Sequence, residues 1–458
     1  MSIQQTTTNQ KLTGPRVRPA LLVALMFLPA MTEAAPPCGD WDLVPTPNVG
    51  DRVNRLRSVT ALSANDTWSV GLWRDASGVF GPLAMRWNGT TWSQTSLPDT
   101  SHLGALPETE GVEAASNGDV WVVGKVFTGY PTDNRPLVLR WRGGSWDYVQ
   151  TVTLRPQTVY PFGPRGGLAY DVDALTGDDI WAVGQAQGFG VGATTVPMAL
   201  HWDGSRWTDV DVPPLANRHH SLNDLVAISH NDVWAVGDYR NEPGAFHAVT
   251  YHWNGSAWSH VDSPIEHMAG DSGLDDVVAT GPNDVWAIGG VLQGGVVLMH
   301  WDGSQWSLAQ PPPNSGGSLA AVGPNDLWAS GWNGFWHWDG SAWTEVPAAV
   351  PGATYVIRSG GMEIVGDCNI WCVGFWTLED GITSFNLAEE LTATATPGDL
   401  NCDGVVNNFD IDPFVLALTD PAGYALRFPN CNRMLADING DGVVDNFDID
   451  PFVKLLTP

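Results

Sequence analysis

NDVWAVG, residues Asn231 to Gly237, begins polar, passes through a strand-forming centre and closes on glycine. Six variants occur elsewhere: NDTWSVG from Asn65, GDVWVVG from Gly118, DDIWAVG from Asp178, NDVWAIG from Asn283, NDLWASG from Asn325 and CNIWCVG from Cys368. Their tryptophans (Trp68, Trp121, Trp181, Trp234, Trp286, Trp328 and Trp371) are separated by 53, 60, 53, 52, 42 and 43 residues. Recurrence at that spacing marks a repeat architecture.

A second phrase follows each of the first six. RWNGTTW from Arg86, RWRGGSW from Arg140, HWDGSRW from His201, HWNGSAW from His252, HWDGSQW from His300 and HWDGSAW from His337 each place two tryptophans five residues apart. Asp-Gly or Asn-Gly between strand formers is a strong hairpin signal and predicts a two-residue turn of positive φ. On that reading the second Trp is a diagonal neighbour of the first on one face. A paired indole surface of this kind must be covered by the next repeat. With a short apolar run ahead of each NDVWAVG, such as LNDLVAI from Leu222 or LDDVVAT from Leu274, every unit becomes four antiparallel strands. Four strands in about fifty residues is the pattern of a propeller blade, so seven second strands predict an all-β seven-bladed β-propeller over residues 36–391.

Blade seven lacks a Trp hairpin. It has a third strand in SFNLAEEL, Ser384 to Leu391, and then no fourth. WDLVPTP at Trp41 matches WTEVPAA at Trp343, so the N-terminal strand is expected to complete the last blade and leave no open edge. This closure places Cys38 near Cys368 and Cys372, and a disulfide to one of them would staple the ring.

Composition narrows the partners. The chain of 458 residues is 43% hydrophobic, with 51 Gly and 33 Pro, and its 21 basic against 50 acidic residues give a net charge of -29. Such a charge repels nucleic acid and anionic membrane surfaces. At the N-terminus Lys11, Arg16 and Arg18 precede the apolar run Ala20 to Met31 and then TEAAPP, which reads as a signal peptide over residues 1–35. The apolar run is too short to span a bilayer, so a secreted or surface-docked protein is expected.

After a Thr/Ala/Pro spacer, residues 392–397, the composition changes. DLNCDGVVNNFD (Asp399 to Asp410) and DINGDGVVDNFD (Asp437 to Asp448) are each followed by IDPFV. Both loops set oxygen donors at the positions a calcium loop uses. Positions one, three and five are Asp399, Asn401 and Asp403, or Asp437, Asn439 and Asp441; Val405 or Val443 donates a carbonyl at position seven. Asn407 or Asp445 stands at position nine, and Asp410 or Asp448 at twelve. Two such loops 38 residues apart predict two bound Ca2+.

The duplicated loop and its sequel resemble a type I dockerin domain, covering Gly398 to Pro458. The resemblance implies a small α-helical fold around two calcium ions that docks to a cohesin-like module in an extracellular, polysaccharide-processing assembly. It also implies that positions ten and eleven, Asn408 with Phe409 and Asn446 with Phe447, help choose the partner. Phe departs there from the small hydroxyl residues of clostridial members and points to a divergent partner. Near duplication implies pseudo-twofold symmetry, and Cys402 and Cys431 are expected to bridge because the two loops of such a domain lie side by side.

The propeller itself more loosely resembles kelch or galactose-oxidase-like arrays. It lacks the cysteine that a copper-radical site requires and the boxes of a sialidase. His201, His252, His300 and His337 occupy one position in four blades, with Arg86 and Arg140 in two others. Spread around a ring, they cannot converge on one metal and read as packing partners of Trp. Function is expected where repeats differ, on the face carrying the loops after NDVWAVG and the connections between blades. Candidates there are Arg135, Tyr160, Arg165, His219, His220, Tyr239, Arg240, Glu266 and His267. Two functions fit: a propeller that binds a glycan or protein ligand and is docked by its C-terminal domain, or a glycoside hydrolase or polysaccharide lyase with its active site on that face.

Overall fold

The computed structural model describes residues 38–456 apart from 100–104, 128–133, 150–165, 188–194, 216–218, 241–243, 292–294, 332–333, 349–354, 367, 379–381, 394–395, 403–404, 429–430, 432 and 440–442. The predicted signal peptide lies outside the described residues, as do Tyr160 and Arg165. Among the described residues no helix is long and apolar enough to cross a membrane.

Seven antiparallel sheets follow one another along the chain. Blades one to six comprise residues 53–94, 105–148, 166–210, 219–261, 272–309 and 315–347, and blade seven residues 355–393. The N-terminal strand Cys38–Leu43 pairs with Ser384–Ala393 as the outer strand of blade seven, with Trp41 opposite Leu391. Trp41 then stacks on Phe335 of blade six at 3.5 Å and meets Trp328 edge-on at 5.9 Å, which closes the ring with an aromatic contact. That final strand reaches Ala393 because it pairs with Cys38, and so takes in the first two residues of the expected spacer.

Each part of NDVWAVG has a separate task. Its tryptophan is buried and is covered by both hairpin tryptophans of the following blade: Trp181 lies 5.0 and 5.5 Å from Trp253 and Trp258, and Trp234 lies 4.8 and 5.3 Å from Trp301 and Trp306. Its aspartate holds the hairpin histidine of its own blade, with Asp232 Oδ1 2.7 Å from His252 Nε2 and Asp326 Oδ1 2.8 Å from His337 Nε2. That imidazole stacks on the motif tryptophan at 4.5 Å in blade four and 4.4 Å in blade six. Where the hairpin carries arginine the same geometry persists, Arg86 bonding Asp66 and lying 4.9 Å over Trp68. The four histidines are therefore packing groups, as expected.

The closing glycine is required by the neighbouring strand. In every one of blades one to five the innermost strand has two register shifts, and the one that faces the motif glycine leaves Arg57, Glu110, Tyr170, Asn223 or Asp275 as the bulged residue. The bulge carries a carbonyl over the motif glycine, so that a Cβ on Gly71, Gly124, Gly184, Gly237 or Gly289 would lie 1.9–2.1 Å from that oxygen. None of these glycines has a positive φ. Close approach of backbone, and not a left-handed conformation, excludes a side chain.

The hairpins correct one expectation. Trp202 pairs directly with Trp207, and Trp253 with Trp258, so the two indoles are opposite partners and not diagonal neighbours. The reason is the side chain of the turn residue: Asp203 Oδ1 accepts from the amides of Ser205 and Arg206, at 2.9 Å each, and thereby builds a four-residue loop. Only blade two uses a two-residue turn, Gly143-Gly144, with both φ positive.

Candidate functional site

The bulges set the site. Because a bulge re-aims the extra residue, the five bulged side chains from consecutive blades point toward the same end of the central channel. Arg57, Glu110, Tyr170 and Asn223 line a cavity of about 390 Å³ together with Arg55, Leu56, Ser359 and Phe375. This is the channel mouth, on the face that carries the connections between blades. None of its lining residues stood among the expected candidates. The signal was present in the inner strands, where LRSV, TEGV, AYDV, LNDL and LDDV vary at the second position between more constant neighbours.

Charge within the mouth is unevenly matched. Arg57 pairs with Glu110 and lies 3.7 Å from Glu108, while Lys125 lies 2.9 Å from Glu108 and 3.6 Å from Glu110. Tyr170 accepts from Gln185 Nε2 at 2.8 Å, and Asn223 donates to Leu274 O at 2.9 Å. Asp275 is open to water yet surrounded by the channel wall; this, and Asp238 nearby, raise its carboxyl to about 6.

Below the mouth lies a ladder of carboxylates. Asp171, Asp224 and Asp276 form one tier, with Glu113, Asp173 and Glu363 beneath. Most of them do a definite job: each innermost strand is an exposed sheet edge, and the preceding blade supplies an acceptor for its free amide. Asp171 accepts from Leu225 N (3.3 Å), Asp173 from Ala227 N (2.6 Å), Asp224 from Val277 N (2.6 Å), Asp276 from Leu319 N (2.9 Å) and Glu363 from Ala61 N (3.2 Å). Ser58 and Thr60 serve Val112 N and Ala114 N in the same way. Withdrawal from water and mutual repulsion raise the carboxyls, Asp173 to about 6, Asp276 to about 7 and Glu363 to about 8.

Several expected candidates of the variable face meet between blades four and five. Glu266 accepts from Tyr239 Oη and lies 2.8 Å from His260 Nε2, and its backbone carbonyl lies 3.1 Å from His247 Nδ1. His220 packs against Tyr239 and Tyr251, and burial pushes its imidazole down to about 3. The others disperse: His219 lies 3.2 Å from Asp238, Arg240 donates to Gly244 O and His267 lies 2.7 Å from Asp262, while Arg135 is exposed.

At the C-terminus the two predicted loops fold alike. Asp410 turns its carboxylate back onto the amides of Leu400, Asn401 and Asn407, at 2.8, 3.1 and 2.9 Å, and Asp448 does so to Asn439 and Asp445, at 3.1 and 2.9 Å. Position twelve is thereby brought against position three, and the buried carboxylates Asp399, Asp410 and Asp448 are gathered inside closed loops. Hard oxygen donors in such loops fit Ca2+. Asp403 and Asp441 lie outside the described residues. Helices Ile411–Thr419 and Ile449–Leu456 follow the loops, and their equivalent Phe414 and Phe452 stack at 4.0 Å with planes 7° apart, as a local twofold demands. Cys402 and Cys431 form a disulfide. Of the two alternatives for the ring staple, Cys368 is disulfide-bonded and Cys372 is a buried free thiol; the side chain of Cys38 lies outside the described residues. Phe409 and Phe447 are 71% and 69% exposed, beside the exposed pairs Ile411 and Val415, and Ile449 and Val453.

No family model matches the chain, and no curated protein matches it. Among solved structures it is similar to YCF48 bound to a D1 peptide (16% identity, covering 77% of this chain and 97% of that one, TM-score 0.47). It is also similar to YCF48 from Cyanidioschyzon merolae (14%, 77% and 99%, 0.47) and to an unknown function protein from Dyadobacter fermentans (11%, 78% and 99%, 0.46). These likenesses do not bear on the ligand.

Proposed function

We propose that this is a secreted modular protein whose propeller holds a glycan at the channel mouth and whose C-terminal domain, folded around two Ca2+, docks it to a cohesin-like partner. The observation that carries the first half is the run of bulges, which gathers one variable side chain from each of four consecutive blades, Arg57, Glu110, Tyr170 and Asn223, around a single cavity. Supporting the second half are the duplicated oxygen-donor loops and the two symmetric exposed apolar patches around Phe409 and Phe447. Asp399, Asn401, Asp403, Val405, Asn407 and Asp410, and their counterparts in the second loop, would hold the ions, whose positive charge would offset the carboxylates gathered there.

Binding is preferred to catalysis because most of the ladder carboxylates are committed to backbone amides and Glu110 is neutralised by Arg57 and Lys125. One observation favours the alternative, a glycoside hydrolase or lyase: Asp275, raised to about 6, stands at the bulge of blade five, next in the ring to Asn223, while Glu110 of the cavity lining is ion-paired. Two carboxyls in contrasting surroundings are what acid and base roles require. A glycan-array screen of the whole chain, with retained polysaccharides incubated and assayed for new reducing ends and for unsaturated products, separates the two. Retention without product supports binding; product lost in Asp275→Asn makes the protein an enzyme; no retention at all overturns the mouth as a glycan site.

A further inference from the structure

Arg55 is out of keeping with the other arginines of the mouth region. Its neighbour Arg57 is paired with Glu110, and Arg358 of blade seven chelates Glu389 through Nε and Nη2. Arg55 makes no hydrogen bond and no ion pair among the described residues, although the chain carries 50 acidic side chains. Its Nε is buried without an acceptor, and its guanidinium lies over the ring of Phe375, 4.3 Å from the centroid. The cation is not stranded in the core: it lines the mouth cavity, where Tyr170, Asn223 and Ser359 also stand.

A guanidinium partly shielded from water, with its Nε left without an acceptor, is costly, and the cost is recovered when an anion arrives. Local charge points the same way. Arg57 and Lys125 are balanced by Glu108 and Glu110, which leaves Arg55 as an uncompensated positive charge on that side of the cavity. Burial and the proximity of Arg57 both lower its proton affinity, as expected of a cation lacking a counter-charge. Planar, doubly donating and placed over an aromatic ring, it matches a carboxylate or sulfate geometrically.

We infer that the mouth selects an anionic sugar, a uronate or sulfate ester, whose acidic group is bound by Arg55. The inference rests on the reading of the mouth as a glycan site. A sugar is favoured over an acidic peptide because the lining offers an aromatic face, an amide and hydroxyls and only one aliphatic residue, Leu56, so that side chains of an apolar or mixed peptide find little to bury against.

The test uses the full chain on arrays of matched pairs: uronate oligosaccharides beside their methyl esters, sulfated oligosaccharides beside their desulfated forms, and acidic peptides beside their amides. Wild-type protein is expected to retain the charged member of at least one sugar pair, by about 10- to 100-fold over its neutral partner, the range of a charge-assisted hydrogen bond. Which pair responds tells carboxylate from sulfate. Arg55→Met, which keeps the alkyl stem on Phe375, should abolish the preference, whereas Arg55→Lys should keep part of it. Equal retention of charged and neutral sugars, or an unchanged preference in Arg55→Met, overturns the inference while leaving the mouth a glycan site. Retention of acidic peptides alone, or of nothing, overturns both.

Discussion

Replacing Gly237 with alanine tests the relation between the repeated motif and the mouth. A Cβ at this position would sit 2.1 Å from Ser221 O and 2.9 Å from the Cα of Leu222, both backbone atoms of the adjacent bulge. Ordinary contact would require that carbonyl to retreat by more than about 1 Å, and no side-chain rotation can supply the movement. Overpacking alone costs about 1–3 kcal/mol. Moving the bulge also strains the bond from Asn223 Nδ2 to Leu274 O, 2.9 Å long, worth about 1 kcal/mol. The expected loss is therefore about 2–4 kcal/mol, accompanied by weaker ligand retention because Asn223 is re-aimed.

Gly281 supplies the control. It closes the innermost strand of blade five, has no positive φ, and a Cβ there would meet nothing within 4 Å. Gly281→Ala should be neutral or stabilise by about 0.4–1 kcal/mol through the unfolded chain. Urea unfolding followed by tryptophan emission measures both variants, since the motif indoles are core residues. If Gly237→Ala unfolds within about 0.5 kcal/mol of wild type, the close approach does not explain the glycine, and the bulge loses its place as the cause of the mouth.

Further outcomes follow from the same structure. Trp41→Ala should cost about 3–5 kcal/mol and expose the seam between blades six and seven to proteolysis, because Trp41 is buried against Phe335 and Trp328; limited digestion with mapping of the first cut checks it. Arg358→Met should cost a similar amount, about 3–5 kcal/mol, by leaving Glu389 buried and unpaired, and a thermal melt reads it. Chelation should lower the melting temperature of the C-terminal domain and leave the propeller transition in place, since every predicted calcium ligand follows Gly398; calorimetry showing one joint shift would refute this. Propeller stability should fall between about pH 5 and pH 8: Asp173, Asp276 and Glu363 are raised to about 6, 7 and 8, so the folded state binds more protons than the unfolded one and loses that advantage as pH climbs through those values. Asp276→Asn, which keeps an acceptor for Leu319 N, should flatten that slope in melts across the range.

What was legible in the sequence was whatever repeats. Tryptophans at blade spacing, hairpins with paired indoles and the stray strand at Trp41 led to seven blades and their closure, because each is a local pattern recurring in the same environment. The hairpin turn was misread since Asp-Gly suggests a two-residue turn, while the Asp203 carboxylate prefers to cap two amides and enlarges the loop. The mouth was illegible for a different reason. Arg57, Glu110, Tyr170 and Asn223 are separated by more than fifty residues each and become neighbours only through closure of the ring. A bulge also shifts the side-chain alternation by one, so counting along the strand assigns those residues to the wrong face. On the variable face, Glu266 and Tyr239 belong to segments that differ between the repeats, whereas their partner His260 lies within a hairpin strand and carries no such mark.

The carboxylate ladder shows how fold and function compete for one surface. A propeller leaves each blade with two short edges, and the innermost strand of every blade turns unpaired amides toward the channel. Asp171, Asp173, Asp224, Asp276 and Glu363 answer that need from the preceding blade, so the channel must be lined by acceptors whatever the protein binds. Crowded and withdrawn from water, these acceptors hold protons toward neutral pH and repel one another as they lose them. The same architecture leaves variable side chains above the ladder, where the bulge frees a side chain from edge duty. Arg57 and Lys125 offset the local acids there, and Arg55 remains to meet a charge brought from outside.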